Sequence, residues 1–592
     1  MKQAVISFFL TLFLFSIACG EKDKVQIESI RGIKIDESRE ATVGDTIKLT
    51  VVTIPDENVK KFQVKWESSD SSIVDIDKED RIIALKEGRA IIYVSIVGKK
   101  NISSQCKITV NLDMNALIEF EDDLFKSAVL FEADKNQDGE VQQSEALAIK
   151  DLRVAGQTIK SLKGIEHFKN LKVLVASLNR IKEVDLSKNH KLRIVDLNNN
   201  LLSTIHVSGL KELEELYCRS NLLQDLDVTH NPVLKKLDCS MNLGGINTDH
   251  NGIRKIDVTQ NPELEYLNLY FLNISELDVT KNPKLKWLDF SLSGYGNMSE
   301  FSPIQSIDLS QNTMLEHLAC EGWSDPGKCL QSLDISSCPN LTFLACYGNT
   351  IKSLDISNNK KLEHLNIAHN PIEKLDVSNN VLLEMIYCER CNLKKLDLSK
   401  NANLTFLRCA YNEIDKLDFS NTAISYVEAH NNKISEVNMG TKIFNTLDDK
   451  GKPYLYLKLN DNQISSLDVR KQENLAWLEI KNNNLSELDV SGCTNLGGLL
   501  CSSNNIHKLL LGTHSRMWEL RVAYNQLVGE LDISHLNNLS KGSFEGNPGL
   551  KEIKINKALN PDCTYYLSDH TTGFSGSLPC YTKDGTANWS LE

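Results

Sequence analysis

The stretch LEHLNIAHNPI at residues 362–372, followed by LDVS at 375–378, contains the pattern that decides the fold of this chain. Leu365 and Ile367 alternate with polar neighbours, which is typical of a short strand that buries one face. A series of leucines recurs at a spacing of 21 residues, at Leu333, Leu354, Leu375, Leu396 and Leu417. A unit this short cannot bury its apolar face alone, so the period predicts coils that stack around one shared core.

The same register extends from residue 152 to about residue 556 and makes about 18 units. It continues at Leu162, Val184, Ile205, Leu226, Ile256, Leu277, Ile307, Val437, Leu467, Leu488, Leu509, Leu531 and Ile553. These units resemble the leucine-rich repeat, with a period similar to that of internalin-type bacterial proteins. The resemblance implies a solenoid with a parallel sheet on its concave face. The tail at 557–592 follows as a C-terminal cap.

Two polar positions recur in many of the units. An asparagine amide can donate and accept hydrogen bonds, so we predict a ladder that satisfies backbone groups where each coil turns. Its members are Asn349, Asn370, Asn412, Asn462, Asn483 and Asn504. The LDVS segments predict a second short strand on the other side of each coil. We interpret their aspartates as turn-forming rather than catalytic, namely Asp355, Asp376, Asp397 and Asp418.

Seven of the 15 cysteines follow the repeat. They occupy the inward position held by Ile367 in its own unit, where a thiol behaves as a small buried hydrophobe: Cys218, Cys239, Cys320, Cys346, Cys388, Cys409 and Cys501. Cys563 and Cys580 lie in the tail after the last unit. Because disulfides are permitted in exported proteins, these two are the candidates for a bridge that caps the open end.

The N-terminus has the build of a secretory signal, with an apolar run at residues 4–18 after Lys2. A small residue followed by Cys19 and a polar stretch resembles a bacterial lipoprotein processing site. The resemblance implies a signal peptide at 1–18, a lipid on Cys19 and a tether at 19–25. We therefore expect an exported outer-membrane lipoprotein on the cell surface, with the periplasmic face as the alternative. A plain secreted protein with an incidental cysteine is the other interpretation.

Residues 26–112 contain short alternating strands separated by polar turns, which predicts a β-sandwich. The segments VKWESS at 64–69, IVDI at 73–76, KEGRA at 86–90 and CKITV at 106–110 resemble the group 2 bacterial immunoglobulin-like family. We expect Trp66 to fill the core and Cys106 to form no inter-sheet disulfide. A rigid spacer is the preferred role of this domain, and adhesion is the alternative.

The sequence DKNQDGEVQQSE at 134–145 fits the EF-hand calcium loop, and the segment 113–151 would form a helical cap around it. A helix precedes the loop, with apolar residues Leu117, Phe120, Leu124, Ala128 and Phe131, and a short helix follows from Gln143 to Lys150. Ca²⁺ takes about six to eight oxygen ligands. The oxygen ligands would come from Asp134, Asn136, Asp138, Glu140 (carbonyl) and Glu145. We predict a structural Ca²⁺; the alternative is a metal-free polar loop.

An aromatic row marks the outward position before the second apolar residue of each strand. Nine of its ten residues carry rings: Tyr266, Trp287, His317, Phe343, His364, Met385, Phe406, Tyr426, Tyr456 and Trp477. Three insertions at 243–251, 292–303 and 321–329 add Tyr295 and Trp323 near Tyr270 and Phe271. This row predicts either a concave binding surface or rings that stack on each other and stiffen the sheet.

Charge and motifs limit the functional classes. The chain has 592 residues, 66 basic and 79 acidic, for a net charge of −13, which disfavours nucleic acid as a partner. It lacks a zinc-protease motif, a phosphate loop and a nucleophile elbow, so we predict no enzymatic activity. We expect a monomer that contacts the membrane through its lipid alone. Its ligand would be an extracellular macromolecule, protein before glycan; a structural envelope lipoprotein is the alternative.

Overall fold

The computed structural model describes residues 30–56, 63–242, 252–272, 274–292, 304–322, 329–440, 455–555 and 588–591. Within these residues the chain forms two compact units. One contains the described residues up to 119 together with 133–148, and the other contains 120–132 together with the described residues from 149 onward. The segment 113–151 is therefore shared between the two units.

The first unit consists of short strands around one apolar core. Its strands are β1 Gly32–Lys34, β2 Ser38–Thr42, β3 Thr46–Ile47, β4 Val52–Ile54, β5 Val64–Ser68, β6 Val74–Ile76, β7 Ile82–Ala84, β8 Gly88–Ile96 and β9 Lys99–Asn111. They form three sheets, in the orders β2-β9-β8-β5, β3-β7-β6 and β1-β4. Trp66 packs partly buried against the core, and Cys106 is a buried free thiol. The sheets fit an immunoglobulin-like domain only loosely.

Two α-helices flank the acidic loop, α1 at Asp123–Ala133 and α2 at Gln143–Ala148. Asp122 caps α1 by accepting a hydrogen bond from the Leu124 N–H at 2.8 Å. The predicted apolar face of α1 was wrong. Its buried residues are Phe125, Val129 and Ala133, whereas Leu124 and Phe131 are exposed. Leu117 and Phe120 lie before the start of α1, so they do not belong to any face of this helix.

The second unit is a parallel-sheet solenoid, as the 21-residue period predicts. Its large sheet has 18 strands in chain order. They are β10 Asp151–Arg153, β11 Val173–Val175, β13 Ile194–Asp196, β15 Glu215–Tyr217, β16 Lys236–Asp238, β17 Tyr266–Asn268, β18 Trp287–Asp289, β19 His317–Ala319, β20 Phe343–Ala345, β21 His364–Asn366, β22 Met385–Tyr387, β23 Phe406–Arg408, β25 Tyr426–Glu428, β27 Leu455–Lys458, β28 Leu475–Glu479, β30 Gly498–Leu500, β32 Glu519–Arg521 and β34 Lys541–Ser543. One apolar residue in nearly every strand is buried and its neighbours lie on the other face, which we call the solvent face.

The second short strand forms in only some of the described coils. Its members are β12 Glu183–Asp185, β14 Thr204–His206, β24 Lys416–Asp418, β26 Glu436–Asn438, β29 Glu487–Asp489, β31 Lys508–Leu510, β33 Val528–Asp532, β35 Gly549–Ile555 and β36 Asn588–Leu591. Elsewhere this side of the coil is a turn. The Asp376 carboxylate accepts the Ser378 N–H at 2.9 Å, and Asp355, Asp397 and Asp418 repeat this bond. The turn-forming role of these aspartates is confirmed.

The predicted asparagine ladder is present. The Asn370 amide donates to the Cys346 carbonyl of the preceding coil at 2.8 Å and accepts the Ile351 N–H at 3.0 Å. A second ladder, which the sequence analysis missed, runs along the opposite turn. There Asn380 donates to the Ile356 and Asn359 carbonyls, both at 2.9 Å, and is fully buried. The two ladders hold consecutive coils in register.

The seven inward cysteines are buried, as predicted. Three further cysteines, Cys338, Cys391 and Cys493, replace ladder asparagines. The Cys391 thiol donates to the Ile367 carbonyl at 3.2 Å, and the Cys493 thiol donates to the Val469 carbonyl at 3.2 Å. Burial raises the pKa of Cys501 to about 12, so such thiols stay protonated and unreactive at neutral pH.

Candidate binding surface

The ten residues of the aromatic row, which we call the aromatic stripe, lie side by side on the solvent face. The sheet register pairs each of them with the next, from Tyr266 opposite Trp287 through to Tyr456 opposite Trp477. The side chain of Trp287 is 37% exposed, and the other nine residues are half-buried. These residues lie side by side because successive side chains of a strand point to opposite faces and because most coils have the same length.

Most rings of the stripe stack on each other. Trp287 and His317 have ring centroids 3.3 Å apart with planes at 4°, and His317 and Phe343 are 4.2 Å apart at 6°. Tyr266 extends this stack at one end, and Phe406 stacks on Tyr426 further along, at 4.7 Å. The faces of these rings therefore contact each other, and their edges are directed to the surroundings.

The stripe ends at Gly498, which occupies the next position after Trp477. A Cβ on Gly498 would lie 2.1 Å from the Trp477 ring, so only glycine leaves room for the indole at this point. Trp518 lies beside Trp477 with centroids 5.4 Å apart and is 39% exposed. The sequence analysis missed Trp518 because the stripe position of its coil is Glu519, one residue later. Only the contact between neighbouring coils brings the Trp518 ring next to Trp477.

A second outward position follows the buried residue of each strand and carries most of the charge. From β22 onward most of its ions are paired: Arg408 lies 2.9 Å from Glu389 and 2.6 Å from Glu428, and Lys458 lies 2.7 Å from Glu428. Glu479 is different, because it accepts hydrogen bonds from the Trp477 indole and the Asn460 amide. Tyr387, at this same position, packs against Phe406 at 5.1 Å. The sequence analysis followed only the outward position before the buried residue of each strand. The outward position after the buried residue would have identified Tyr387.

Another group of rings lies near the end of the strands. Tyr270 and Phe271 have centroids 5.8 Å apart, and Tyr347 lies 4.8 Å from His369. Tyr411 is 45% exposed, with the Arg390 guanidinium 4.0 Å above its ring. These residues widen the aromatic surface beyond the stripe.

The loop at 134–145 is organised by its own carboxylates. Asp134 accepts the Gly139 N–H at 3.0 Å, and Glu145 accepts the Lys135 N–H at 2.9 Å and the Gln142 N–H at 3.1 Å. The loop thus gathers carboxylate oxygens, which are the kind of ligand that a hard cation such as Ca²⁺ takes. Among the described residues, no group of three or more His, Cys, Asp or Glu side chains converges as a metal site of those residues would. A cation here would also need the oxygens of Asn136 and Glu140.

Five predicted residues lie outside the described part of the chain, namely Cys19, Tyr295, Trp323, Cys563 and Cys580. The lipid, the possible tail disulfide and the insertion aromatics stay predictions. No helix of the described residues is both long enough and apolar enough to cross a bilayer.

We expect His317 to stay neutral well below its ordinary pKa. Burial between Trp287 and Phe343 lowers its pKa from 6.5 to about 4, so the unfolded chain binds this proton more readily. The stability that His317 contributes is complete above pH 6.5 and is lost as the pH falls toward 4. An NMR titration of the imidazole measures the pKa. In the control variant His317→Phe the acid loss of stability should shrink; an imidazole pKa near 6.5 in the folded protein would contradict the prediction.

Comparison with known proteins agrees with the repeat architecture. No protein-family model matches the chain. The functional domain of InlJ from Listeria monocytogenes, which includes a cysteine ladder, is 26% identical, with a TM-score of 0.52 over 74% of this chain and 81% of that one. A leucine-rich-repeat protein of Leptospira interrogans is 20% identical, with a TM-score of 0.45 over 69% of this chain and 92% of its own.

One curated relative is similar over a short segment. An uncharacterized protein of Clostridium acetobutylicum is 27% identical over 122 residues, which is 20% of this chain and 12% of that protein. This chain therefore covers only a small part of that relative. The likeness to InlJ supports a leucine-rich-repeat solenoid.

Proposed function

We propose that this protein is a non-enzymatic binding protein that recognises an extracellular macromolecule through the aromatic stripe. The observation that carries the proposal is the row of rings held in register along the solvent face, with Trp287 exposed near its first strand. Large rings held rigidly in place lose little conformational entropy on binding, and they dominate the energy of many interfaces.

A protein fits this surface better than a glycan. Sugars stack on the open faces of aromatic rings, but the faces of His317 contact Trp287 and Phe343. The ring edges and the neighbouring polar groups offer packing and hydrogen bonds of the kind that protein interfaces use. A glycan is the second choice within this class.

The test is binding of the full-length chain to a panel of purified extracellular proteins and to a glycan array. Trp287→Ala should weaken the captured interaction about 30-fold or more, because truncating an exposed aromatic that anchors an interface costs about 2 kcal/mol or more. Trp477→Ala probes the other end of the stripe. Leu382→Ala is the control, since this side chain is 40% exposed outside the stripe. Equal binding by all variants, with the fold intact, would contradict the proposal.

A structural envelope lipoprotein is the alternative, and the stacking of the rings on each other favours it. This function predicts no ligand in either panel. It also predicts that Trp287→Ala lowers the stability of the solenoid without any change in binding to cells.

For the location of the protein, we propose export and attachment to the outer membrane through a lipid on Cys19, with display at the cell surface. Metabolic labelling with a fatty acid analogue should label the chain, and Cys19→Ser should abolish the label. Protease treatment of intact cells then distinguishes the surface from the periplasm.

We also propose that the loop at 134–145 binds a structural Ca²⁺. Asp134, Asn136, Asp138, Glu145 and the Glu140 carbonyl would hold the ion, which would tie the loop to the start of α2. Added Ca²⁺ should protect residues 113–151 from proteolysis in the full-length chain. Glu145→Gln should remove this protection. Asp113→Asn, outside the loop, is the control, and equal protection of both variants would contradict the site.

A further inference from the structure

Three carboxylates lie beside the most tightly stacked part of the stripe, and we call them the acidic patch: Asp238, Asp289 and Glu321. The register places Asp238 opposite Asn268 and Asn268 opposite Asp289, on neighbouring strands. Glu321 follows β19, and its N–H donates to the Ser291 hydroxyl at 3.1 Å, two residues after Asp289. Asp289 shares its strand and its face with Trp287.

The acidic patch is partly removed from water. Asp238 is 8% exposed, and Asp289 and Glu321 are half-buried. Burial raises the pKa of Asp289, the neighbouring Asp238 raises it further, and Arg219 opposes the shift. Burial also raises the pKa of Glu321, with an added effect from Asp289. The charged forms of both groups are therefore held at a free-energy cost.

The hydrogen-bond partners of the patch are neutral. Asp289 accepts the Ser291 N–H at 2.9 Å, and Asp238 accepts the Ser240 hydroxyl at 2.6 Å and the Asn268 amide at 3.2 Å. Glu321 accepts the Asn366 amide at 3.5 Å. Among the described residues, no lysine or arginine forms an ion pair with these three carboxylates.

The other half of the same face is different. There, Glu389, Glu428 and Glu519 each lie within 3 Å of an arginine or lysine nitrogen. Glu479 in that half instead bonds to neutral groups, the Trp477 indole N–H and the Asn460 amide. The acidic patch differs in that it brings three carboxylates together next to the stacked rings without an ion pair, although the charge of Arg219 reaches Asp289. A half-buried carboxylate gains most from a cation that arrives together with other desolvating contacts.

We propose that the acidic patch and the adjoining rings bind a lysine- or arginine-rich segment of a partner protein, with the cationic heads beside Asp289 and Glu321. This inference rests on the proposed function and names the chemistry of the partner. The methylene stems of lysine and arginine would lie along the edges of Trp287 and His317. A neutral glycan supplies no charge for the patch.

The test uses fluorescein-labelled tetra-arginine and tetra-glutamine peptides with the full-length chain at physiological ionic strength. The wild-type chain should bind the arginine peptide and not the glutamine peptide. D289N/E321Q should weaken binding about tenfold, since removing a partner from a desolvated ion pair costs more than about 1.4 kcal/mol. The single variants D289N and E321Q should bind the arginine peptide with affinities between those of the wild-type chain and the double variant. They provide the test if the double variant fails to fold.

The matched control is D376N/D397N, which changes the net charge by the same amount on exposed turn residues. It should leave peptide binding within about twofold, because salt screens the charges of exposed residues that lie outside the binding surface. If both double variants lost the same binding affinity for the arginine peptide, the net charge of the chain would explain the loss, and this result would overturn the proposal. Absence of binding by the wild-type chain would overturn it too.

The proposed function is separable from this inference. If D289N/E321Q still binds the protein captured in the panel while Trp287→Ala does not, the basic-segment proposal fails and the stripe proposal stands. If neither variant changes capture, both fail.

Discussion

Asn370→Ala should destabilise the solenoid by about 2–3 kcal/mol, because it leaves the buried Ile351 N–H without a partner and removes one of the two amides that bond to the Cys346 carbonyl. Asn370 is 1% exposed, donates to the Cys346 carbonyl and accepts the Ile351 N–H. Alanine cannot replace either bond, and water cannot reach the site. Urea unfolding of the full-length chain measures the total loss, and hydrogen exchange at the Ile351 amide measures the local loss.

The control for this prediction is Asn379→Ala, since Asn379 is an exposed asparagine one residue before the second ladder. Its substitution should change stability by no more than about 0.5 kcal/mol. Similar effects of the two substitutions would show that the ladder does not hold the coils. The ladder also matters for function, because the register that it maintains keeps the rings of the stripe next to each other.

Phe419→Ala should cost about 3–5 kcal/mol, because it opens a large cavity between tightly stacked coils. Phe419 is completely buried and is among the largest such side chains of the protein. The equivalent positions of nearby coils hold Val377, Leu398 and Met439, and all three are buried. A bulky apolar residue is therefore the requirement at this point of the coil.

Phe419→Leu is the matched variant, and it should lose less than about 1.5 kcal/mol since leucine already fills this position in the preceding coil. Thermal unfolding compares the two variants. Because coils contact mainly their neighbours, the alanine variant should also show increased proteolysis near residues 398–439 before the rest of the solenoid unfolds. Equal stability of the alanine and leucine variants would mean that the coils close the cavity.

The sequence predicted the second unit better than the first. The period, the first asparagine ladder and the seven inward cysteines were predicted correctly, because each repeats at a constant spacing. The second ladder was missed although Asn359, Asn380 and Asn401 show the same spacing, because only the asparagines that follow the first strand were followed through the repeat. The predicted apolar residues of α1 did not match its buried face, because the predicted series began at Leu117 and the helix begins at Asp123.

The amino-acid sequence by itself determined that short coils stack in register and that a row of rings lies on their solvent face, because period and alternation alone place these residues. Only the tertiary structure decided that Trp287, His317 and Phe343 stack face to face. It likewise decided that, among the described residues, Asp289 and Glu321 form no ion pair, whereas Glu428 forms two. The physical reason is that these contacts join side chains of different coils, and the rotamers and distances between them follow from packing rather than from spacing along the chain.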